Sequence, residues 1–234
     1  MPRDGGVNAR AIGEWAEGWA GRAGIEAAAA VPGTAPWQLL PPWGTITFMS
    51  GLRRVLAQEW LSLDGFAAGP GGEADIFAAV SPEADSASQQ WNQRLLGSVD
   101  EVLLGRATYE MFAAYWPTAT EPVAARVNMA PRTVFSRSLA AAPWGDFAPA
   151  AVKSEPVDYI RPRRTSGASL VWGSLSIVQA LHSAGELDEL DLFIAPVVLG
   201  QGRRLLAGHQ SRLQLVHAEQ WDSSMHLRYL LDRR

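Results

Sequence analysis

Residues 101–117 read EVLLGRATYEMFAAYWP, and this stretch decides the fold class. The first four residues form a short apolar run that predicts a strand over 101–104. Gly105 marks a turn, and a helix is predicted over 108–115 because Pro117 cannot continue it. A strand that passes through a glycine turn into a helix is the repeating unit of a parallel α/β sheet.

The alternation of strands and helices continues on both sides of this segment. Further strands are predicted at 53–61, 133–135, 168–172 and 190–198, and helices begin at Ser81-Pro82 and at Leu175. Pro196 in the last of these strands suggests a bulge or an edge position. Residues 212–218 and 225–230 predict a terminal hairpin. We expect an α/β fold with a mainly parallel mixed sheet, flanking helices and a C-terminal antiparallel hairpin.

Residues 1–48 differ in composition from the rest of the chain. They are rich in Ala, Gly, Pro and Trp, and they contain the alanine run 27–30 and a proline cluster over 32–42. Glycines weaken any helix over 9–30, and the prolines favour an irregular segment beyond it. We expect a poorly ordered extension over 1–48 and one domain over 49–234. No targeting signal is recognisable in the extension, so we hypothesise a start codon placed too far upstream.

The composition excludes several classes of function. The chain has 234 residues, a formal net charge of −4 and no cysteine. Disulfides, thiolate nucleophiles and cysteine-ligated metals are therefore excluded. Binding to nucleic acids or to anionic membranes requires a positively charged surface on the protein. The mildly acidic composition of this chain argues against such a surface. We expect a cytoplasmic protein without either partner.

The histidines give no sign of a metal site. Their spacing matches no common ligand pattern, and we expect no bound metal. We expect them at the surface or in the hairpin; they are His182, His209, His217 and His226.

Three strand-to-turn junctions carry residues suited to phosphate. They are segments 105–108, 136–137 and 173–176, with the sequences GRAT, SR and GSLS. Ligands of a parallel sheet bind beyond the carboxyl ends of its strands, where the N–H groups of helix N-termini attract anions. Any one junction is explained better by ordinary turn residues than by a bound cofactor. The three together favour a polyanionic cofactor.

The motifs resemble those of a known family. LGRATYE at 104–110 resembles the Gly-Arg-x-Thr-x-Glu signature of dihydrofolate reductases and of riboflavin-biosynthesis reductases. VFSR at 134–137 and VWGSL at 171–175 are similar to further elements of that superfamily. SLDG at 62–65 and PVVLGQG at 196–202 resemble segments of the riboflavin reductases. The ordered set resembles the riboflavin-reductase C-terminal-domain family, a branch of the dihydrofolate-reductase-like fold.

The resemblance implies NADPH as cofactor and a homodimer as the assembly. One group of residues would hold the adenosine side with its 2′-phosphate: Arg106, Thr108, Ser136 and Arg137. Gly105 would let the backbone approach a phosphate, and the pyrophosphate would lie against Gly173, Ser174 and Leu175. The zinc deaminase domain that riboflavin enzymes often carry is excluded, because its cysteine ligands are missing.

The expected reaction is hydride transfer to a carbonyl or imine carbon of a small heterocyclic molecule. The resemblance is to 5-amino-6-(5-phosphoribosylamino)uracil reductase. Asp64, beside Gly65 in a loop, is the predicted catalytic proton donor, although a plain Asp-Gly turn explains it equally well. A dihydrofolate reductase and a nucleotide-binding protein without catalysis are the alternatives.

Overall fold

The computed structural model describes residues 54–163, 165, 167–206 and 210–232. The extension expected over 1–48 lies outside them, so it stays a prediction, as does the domain start at 49. Within the described ranges the chain forms eleven strands and six α-helices. None of these helices combines the length and the apolar character that crossing a membrane requires.

The bounds of the elements are close to those predicted where the sequence period is clear. The strands are β1 (Arg54–Ser62), β2 (Phe66–Ala68), β3 (Glu101–Gly105), β4 (Arg132–Phe135), β5 (Ala142–Trp144), β6 (Phe147–Lys153), β7 (Ala168–Trp172), β8 (Glu189–Ala195), β9 (Arg203–Arg204), β10 (Leu213–Trp221) and β11 (Ser224–Leu231). The helices are α1 (Ala74–Phe77), α2 (Pro82–Leu96), α3 (Arg106–Tyr115), α4 (Ala124–Met129), α5 (Pro156–Ile160) and α6 (Leu175–Ser183).

Nine strands form one sheet in the order β10-β11-β8-β1-β7-β3-β4-β6-β5. The neighbours from β8 through β6 pair in parallel. The pairs β8–β11, β10–β11 and β5–β6 are antiparallel. The expected mixed sheet with its C-terminal hairpin is confirmed. A second, two-stranded sheet joins β2 to β9.

Strand β1 lies between β7 and β8 in the middle of the large sheet and is buried on both faces. On one face Val55, Ala57 and Leu61 enter a core that includes the apolar side of α6. On the other face Trp60 packs edge-on against Phe193, with ring centroids 5.1 Å apart. Burial on both faces explains why the strand alternates so weakly in sequence.

Helix α2 begins where the sequence predicts. The hydroxyl of Ser81 accepts a hydrogen bond from the Ala84 N–H at 3.2 Å, and Pro82 occupies the first turn. Trp91 and Leu95 lie on the buried side of the helix. The cap and the helical spacing are local signals, which is why this element could be predicted.

Other expectations are wrong. Pro196 follows β8, which ends at Ala195 and is paired on both sides, so it marks neither a bulge nor an edge. His182 is buried on α6 rather than placed at the surface. His217 and His226 do lie in the hairpin, but His226 is fully buried. His209 is outside the described residues.

Candidate active site

The carboxyl ends of β7, β3 and β4 bring the three predicted junctions together. The Gly105 N–H donates a hydrogen bond to the Ser174 hydroxyl at 2.8 Å. That hydroxyl donates to Thr108 Oγ1 at 3.0 Å, and Thr108 Oγ1 donates to the Gly173 carbonyl at 3.2 Å. Residues 66 positions apart in sequence are thus tied at one edge of the sheet.

This chain of hydrogen bonds changes what the two hydroxyls can do. Thr108 and Ser174 are 8% and 4% exposed, and each uses its hydroxyl within the protein. Their contacts favour holding α3 and α6 side by side over direct contact with a ligand. The first N–H groups of each helix have no partner within the helix and point past its N-terminus. The two helix starts therefore offer backbone donors at one place.

The third junction adds positive charge. Arg106 Nη1 donates to the Ser138 hydroxyl at 2.8 Å, across the gap between the turns after β3 and β4. Arg106 Nε also pairs with Glu110 Oε1 at 2.7 Å. Ser136 is half-buried and Arg137 is exposed on the same turn. Two exposed guanidinium groups thus lie on the segments that follow β3 and β4, and guanidinium groups in general can bind phosphate.

Gly173 needs the conformation that glycine allows. Its φ is +68°, in the left-handed region, and it directly precedes the Ser174 cap of α6. A side chain here would be strained even though the nearest atom to a built Cβ, Thr108 Cγ2, is 3.5 Å away. Gly173 is half-buried, and because it has no side chain a ligand could approach its backbone closely.

An aromatic cluster borders the Gly173 turn. Trp172 is half-buried, and its ring lies 5.3 Å from Phe112 in an edge-on arrangement. Trp116 stacks on Trp172 with centroids 6.2 Å apart. Phe112 and Trp116 are largely buried, so Trp172 presents the accessible end of a rigid apolar wall.

Asp64 lies in the turn after β1 and is an acceptor there. Its carboxylate receives hydrogen bonds from the Ser62 hydroxyl at 2.7 Å, the Leu199 N–H at 3.1 Å and the Gly200 N–H at 2.7 Å. The Ser62 hydroxyl and these two N–H groups lower the pKa of Asp64 to about 2. Such a group is ionised at neutral pH and is poorly suited to donating a proton.

The same contacts join the two segments that resemble the riboflavin reductases. Leu63 N–H donates to the Val197 carbonyl at 2.8 Å, beside the bonds that Asp64 accepts from 199 and 200. Further along, Gly202 has φ of +140°, and a built Cβ would lie 2.0 Å from the Ala68 carbonyl oxygen. Segments 62–65 and 196–202 therefore form one interlocked loop pair, which we call the β1-end clamp.

Two acidic residues that the sequence reading missed lie near this clamp. Glu59 is 8% exposed, and burial raises its pKa well above the usual value. Burial also raises the pKa of Glu73 to about 7, against the opposing charge of Arg203. An acid in the middle of a strand buried on both faces is the signal that could have revealed Glu59. Glu73 can therefore hold a proton near neutral pH, which Asp64 cannot.

The comparisons with known proteins agree with the fold and the motif order. The family model of the RibD C-terminal domain matches residues 53–155 and 163–227. The uncharacterized protein YyaP of Bacillus subtilis is 25% identical over 170 residues, which is 70% of this chain and 85% of that protein.

Solved structures show the same architecture. A putative riboflavin biosynthesis protein from Shewanella sp. PV-4 matches with a TM-score of 0.57 at 17% identity, over 77% of this chain and 99% of that one. A pyrimidine reductase-like protein from Corynebacterium diphtheriae matches with a TM-score of 0.54 at 16% identity, over 78% and 93%. At these identities the likeness concerns the fold, and it confirms the predicted fold class.

Proposed function

This chain belongs to the RibD C-terminal domain family, and we propose that it is an NADPH-dependent reductase. In this proposal, hydride passes to a carbonyl or imine carbon of a small heterocyclic molecule. The family itself supports the coarser conclusion of a riboflavin-pathway-like reductase. The observation that carries the finer proposal is the convergence of the three junctions at the carboxyl ends of β7, β3 and β4, which we call the cofactor edge. That edge is where parallel α/β sheets bind nucleotides.

The residues at this edge fit a dinucleotide that carries an additional phosphate. Arg106 and Arg137 supply exposed cations where an NAD site would present a carboxylate to the ribose. Glu110, the acid nearest to Arg106, is already paired with it at 2.7 Å. We assign these arginines and Ser136 to the 2′-phosphate side. When bound, NADPH supplies the hydride.

The pyrophosphate side of the proposed site uses backbone more than side chains. We assign to it the Gly105 and Gly173 turns and the first N–H groups of α6 at Leu175. Thr108 and Ser174 act there by fixing these turns relative to one another, through the bonds at 2.8, 3.0 and 3.2 Å. Preorganised backbone donors avoid the entropy cost of ordering long side chains on binding.

The substrate side of the proposed site comprises the Trp172 wall and the β1-end clamp. The flat, half-buried indole of Trp172 suits a planar heterocycle and excludes water from the reacting face. Asp64 holds the clamp closed, since its carboxylate is the common acceptor for residues 62, 199 and 200. A rigid clamp of this kind would fix the orientation of the substrate.

Reduction of a carbonyl or imine also needs a proton, and two acids are candidates. Asp64 is the residue predicted from the sequence, but its pKa of about 2 leaves it ionised. Glu73 has a pKa of about 7 and is half protonated near neutral pH. The two assignments differ in the pH profile of kcat. If Glu73 is the donor, kcat falls as the pH rises through about 7, and Glu73→Gln lowers kcat and removes that dependence. If Asp64 is the donor, Glu73→Gln leaves kcat and its pH profile largely unchanged.

Binding and turnover are tested separately. The full chain is titrated with NADPH and with NADH by fluorescence, and oxidation of the bound cofactor is then followed with a panel of pterins and pyrimidines. We expect preferential binding of NADPH and oxidation with a pyrimidine. Absence of NADPH binding at high micromolar concentration refutes the proposal.

The same assays distinguish the alternatives. Turnover of dihydrofolate but of no pyrimidine identifies a dihydrofolate reductase. Binding without turnover of any compound identifies a nucleotide-binding protein without catalysis. From the family resemblance we also propose a cytoplasmic homodimer, and sedimentation of the full chain tests the dimer.

A further inference from the structure

The terminal hairpin places three potential metal ligands on one face. His217 and Glu219 are two residues apart on β10, so their side chains point to the same side of the strand. His226 on β11 is directly opposite Glu219 in the antiparallel register. Side chains opposite one another, or diagonal to one another, on one face of a hairpin are close enough to share a ligand.

The ligand atoms of these three residues converge. Glu219 Oε2 lies 3.6 Å from His217 Nε2 and 4.0 Å from His226 Nδ1. All three atoms are within 4.8 Å of one another. Ligand atoms bound to a tetrahedral metal at about 2.0–2.1 Å are roughly 3.3 Å apart. Small rotations of His217, which is half-buried, and of Glu219, which is exposed, close the difference.

The imidazole nitrogens that face this point have no hydrogen-bond partner. His226 is fully buried, and its Nδ1 lacks any partner. His217 Nε2 is also buried and without a hydrogen bond. Separations of 3.6 and 4.0 Å are too long for hydrogen bonds to Glu219. Leaving a polar atom buried and unsatisfied is costly, and a cation bound between these two nitrogens and the Glu219 carboxylate would satisfy all three groups.

The other side of His226 has the support that metal-bound imidazoles have. His226 Nε2 lies 2.5 Å from Asp191 Oδ1, which fixes the ring orientation and places a proton on Nε2. The remaining nitrogen, Nδ1, then turns its lone pair towards Glu219. Asp191 is itself held by Gln58 Nε2 at 2.9 Å and by Trp91 Nε1 at 2.8 Å. A carboxylate that orients the imidazole from behind is the usual outer shell of a zinc-bound histidine.

Aromatic rings enclose the buried half of this cluster. The ring of His226 lies 4.4 Å from Trp91 and 4.6 Å from Trp221, measured between centroids. The ring of His217 also stacks on Trp91, with centroids 6.0 Å apart. The opening of the cluster is at Glu219, where a fourth ligand such as water can enter.

We propose that His217, Glu219 and His226 bind a divalent transition metal of the Zn²⁺ class on the terminal hairpin. Two imidazoles and one carboxylate are borderline donors that favour Zn²⁺ over Mg²⁺. The metal joins β10 to β11 and fixes the hairpin against α2 through Trp91. The site is independent of the proposed cofactor edge, because its residues belong to the opposite, antiparallel part of the sheet.

Calorimetric titration of the untagged full chain with ZnCl₂ tests the site. We expect one Zn²⁺ per chain, no comparable binding of Mg²⁺, and a Tm that rises with free Zn²⁺ because the ligand binds only the folded state. Glu219→Gln keeps the shape of the side chain and should weaken Zn²⁺ binding at least about tenfold. His217→Gln should remove measurable binding. Both side chains are accessible enough for the variants to fold.

Matched controls are available because the chain has only four histidines and no cysteine. His182→Gln removes a histidine on α6, away from the hairpin, and should leave the Zn²⁺ affinity within about twofold. Co²⁺ in place of Zn²⁺ should give the visible absorption of a tetrahedral site, lost in His217→Gln. The proposal is overturned if the unmodified chain binds no Zn²⁺ at micromolar concentration. It is also overturned if binding survives both Glu219→Gln and His217→Gln.

Discussion

Arg106 is the residue whose replacement most directly tests the cofactor assignment. Its guanidinium is fixed by Glu110 at 2.7 Å and Ser138 at 2.8 Å, while 51% of the side chain stays exposed. If Arg106 contacts the 2′-phosphate, Arg106→Ala removes an interaction that NADPH makes and NADH does not. NADPH affinity should therefore fall while NADH affinity changes little.

The size of the effect follows from the exposure of the guanidinium. A charge-assisted hydrogen bond contributes about 1.5–3 kcal/mol. Solvent screens a half-exposed charge, so we expect a smaller contribution than that range, about 1–1.5 kcal/mol. This corresponds to a rise in the Kd for NADPH of roughly 5- to 13-fold, with the Kd for NADH within about twofold.

Fluorescence titrations of both cofactors against the same protein preparations measure this difference. Arg212→Ala removes an exposed arginine next to the terminal hairpin and serves as the matched control. Glu110→Gln releases Arg106 from its ion pair and should strengthen NADPH binding by a few-fold. An equal loss of both cofactors in Arg106→Ala would show that Arg106 does not contact the 2′-phosphate.

Three further predictions concern the β1-end clamp and its neighbours. Gly202→Ala should lower the free energy of unfolding, measured in urea, by about 2–4 kcal/mol, because the new Cβ would lie 2.0 Å from the Ala68 carbonyl oxygen. Gly200→Ala is the control: its Cβ would have no atom within 4 Å, so only backbone strain of about 1 kcal/mol is expected. Asp64→Asn should lower the Tm at pH 7, because the stabilisation needs the ionised carboxylate, and the difference in Tm between the variant and the unmodified chain should vanish as the pH falls towards 2. Equal Tm values at pH 7 would contradict this. Because the pKa of Glu73 is raised, its protonated form contributes fully to the free energy of unfolding below about pH 4.5, and this contribution is lost as the pH rises through about 7. In Glu73→Gln the urea midpoint should therefore vary less with pH between pH 5 and 8 than in the unmodified chain.

The place where the three junctions meet could be predicted because its signals are local. A change from strand to helix period at a glycine identifies each junction, and the parallel sheet then places the junctions at one edge. Gly105 and Gly173 are consequently found where the sequence predicts. What the sequence could not give is the hydrogen bond between Thr108 and Ser174, because it depends on a distance between residues 66 positions apart.

Elements without a clear period were missed for a related reason. Strand β5 contains Pro143, and β6 contains Pro149 and is largely exposed, so neither alternates in the usual way. The burial of His226 is also invisible in the sequence of the hairpin. It results from Trp91 and Trp221, and Trp91 comes from α2, more than a hundred residues earlier in the chain.

The two sides of the proposed site are built with different rigidity, and this has a consequence for specificity. The cofactor edge is fixed by neighbouring strands of the central sheet, so its geometry follows from the fold. The substrate side depends on the β1-end clamp, which is held by Asp64 and by the pairing of β2 with β9. Changes in the clamp can alter the substrate without disturbing the sheet. Membership of the family therefore constrains the cofactor more strongly than the substrate, and the compound panel is the experiment that identifies the reaction.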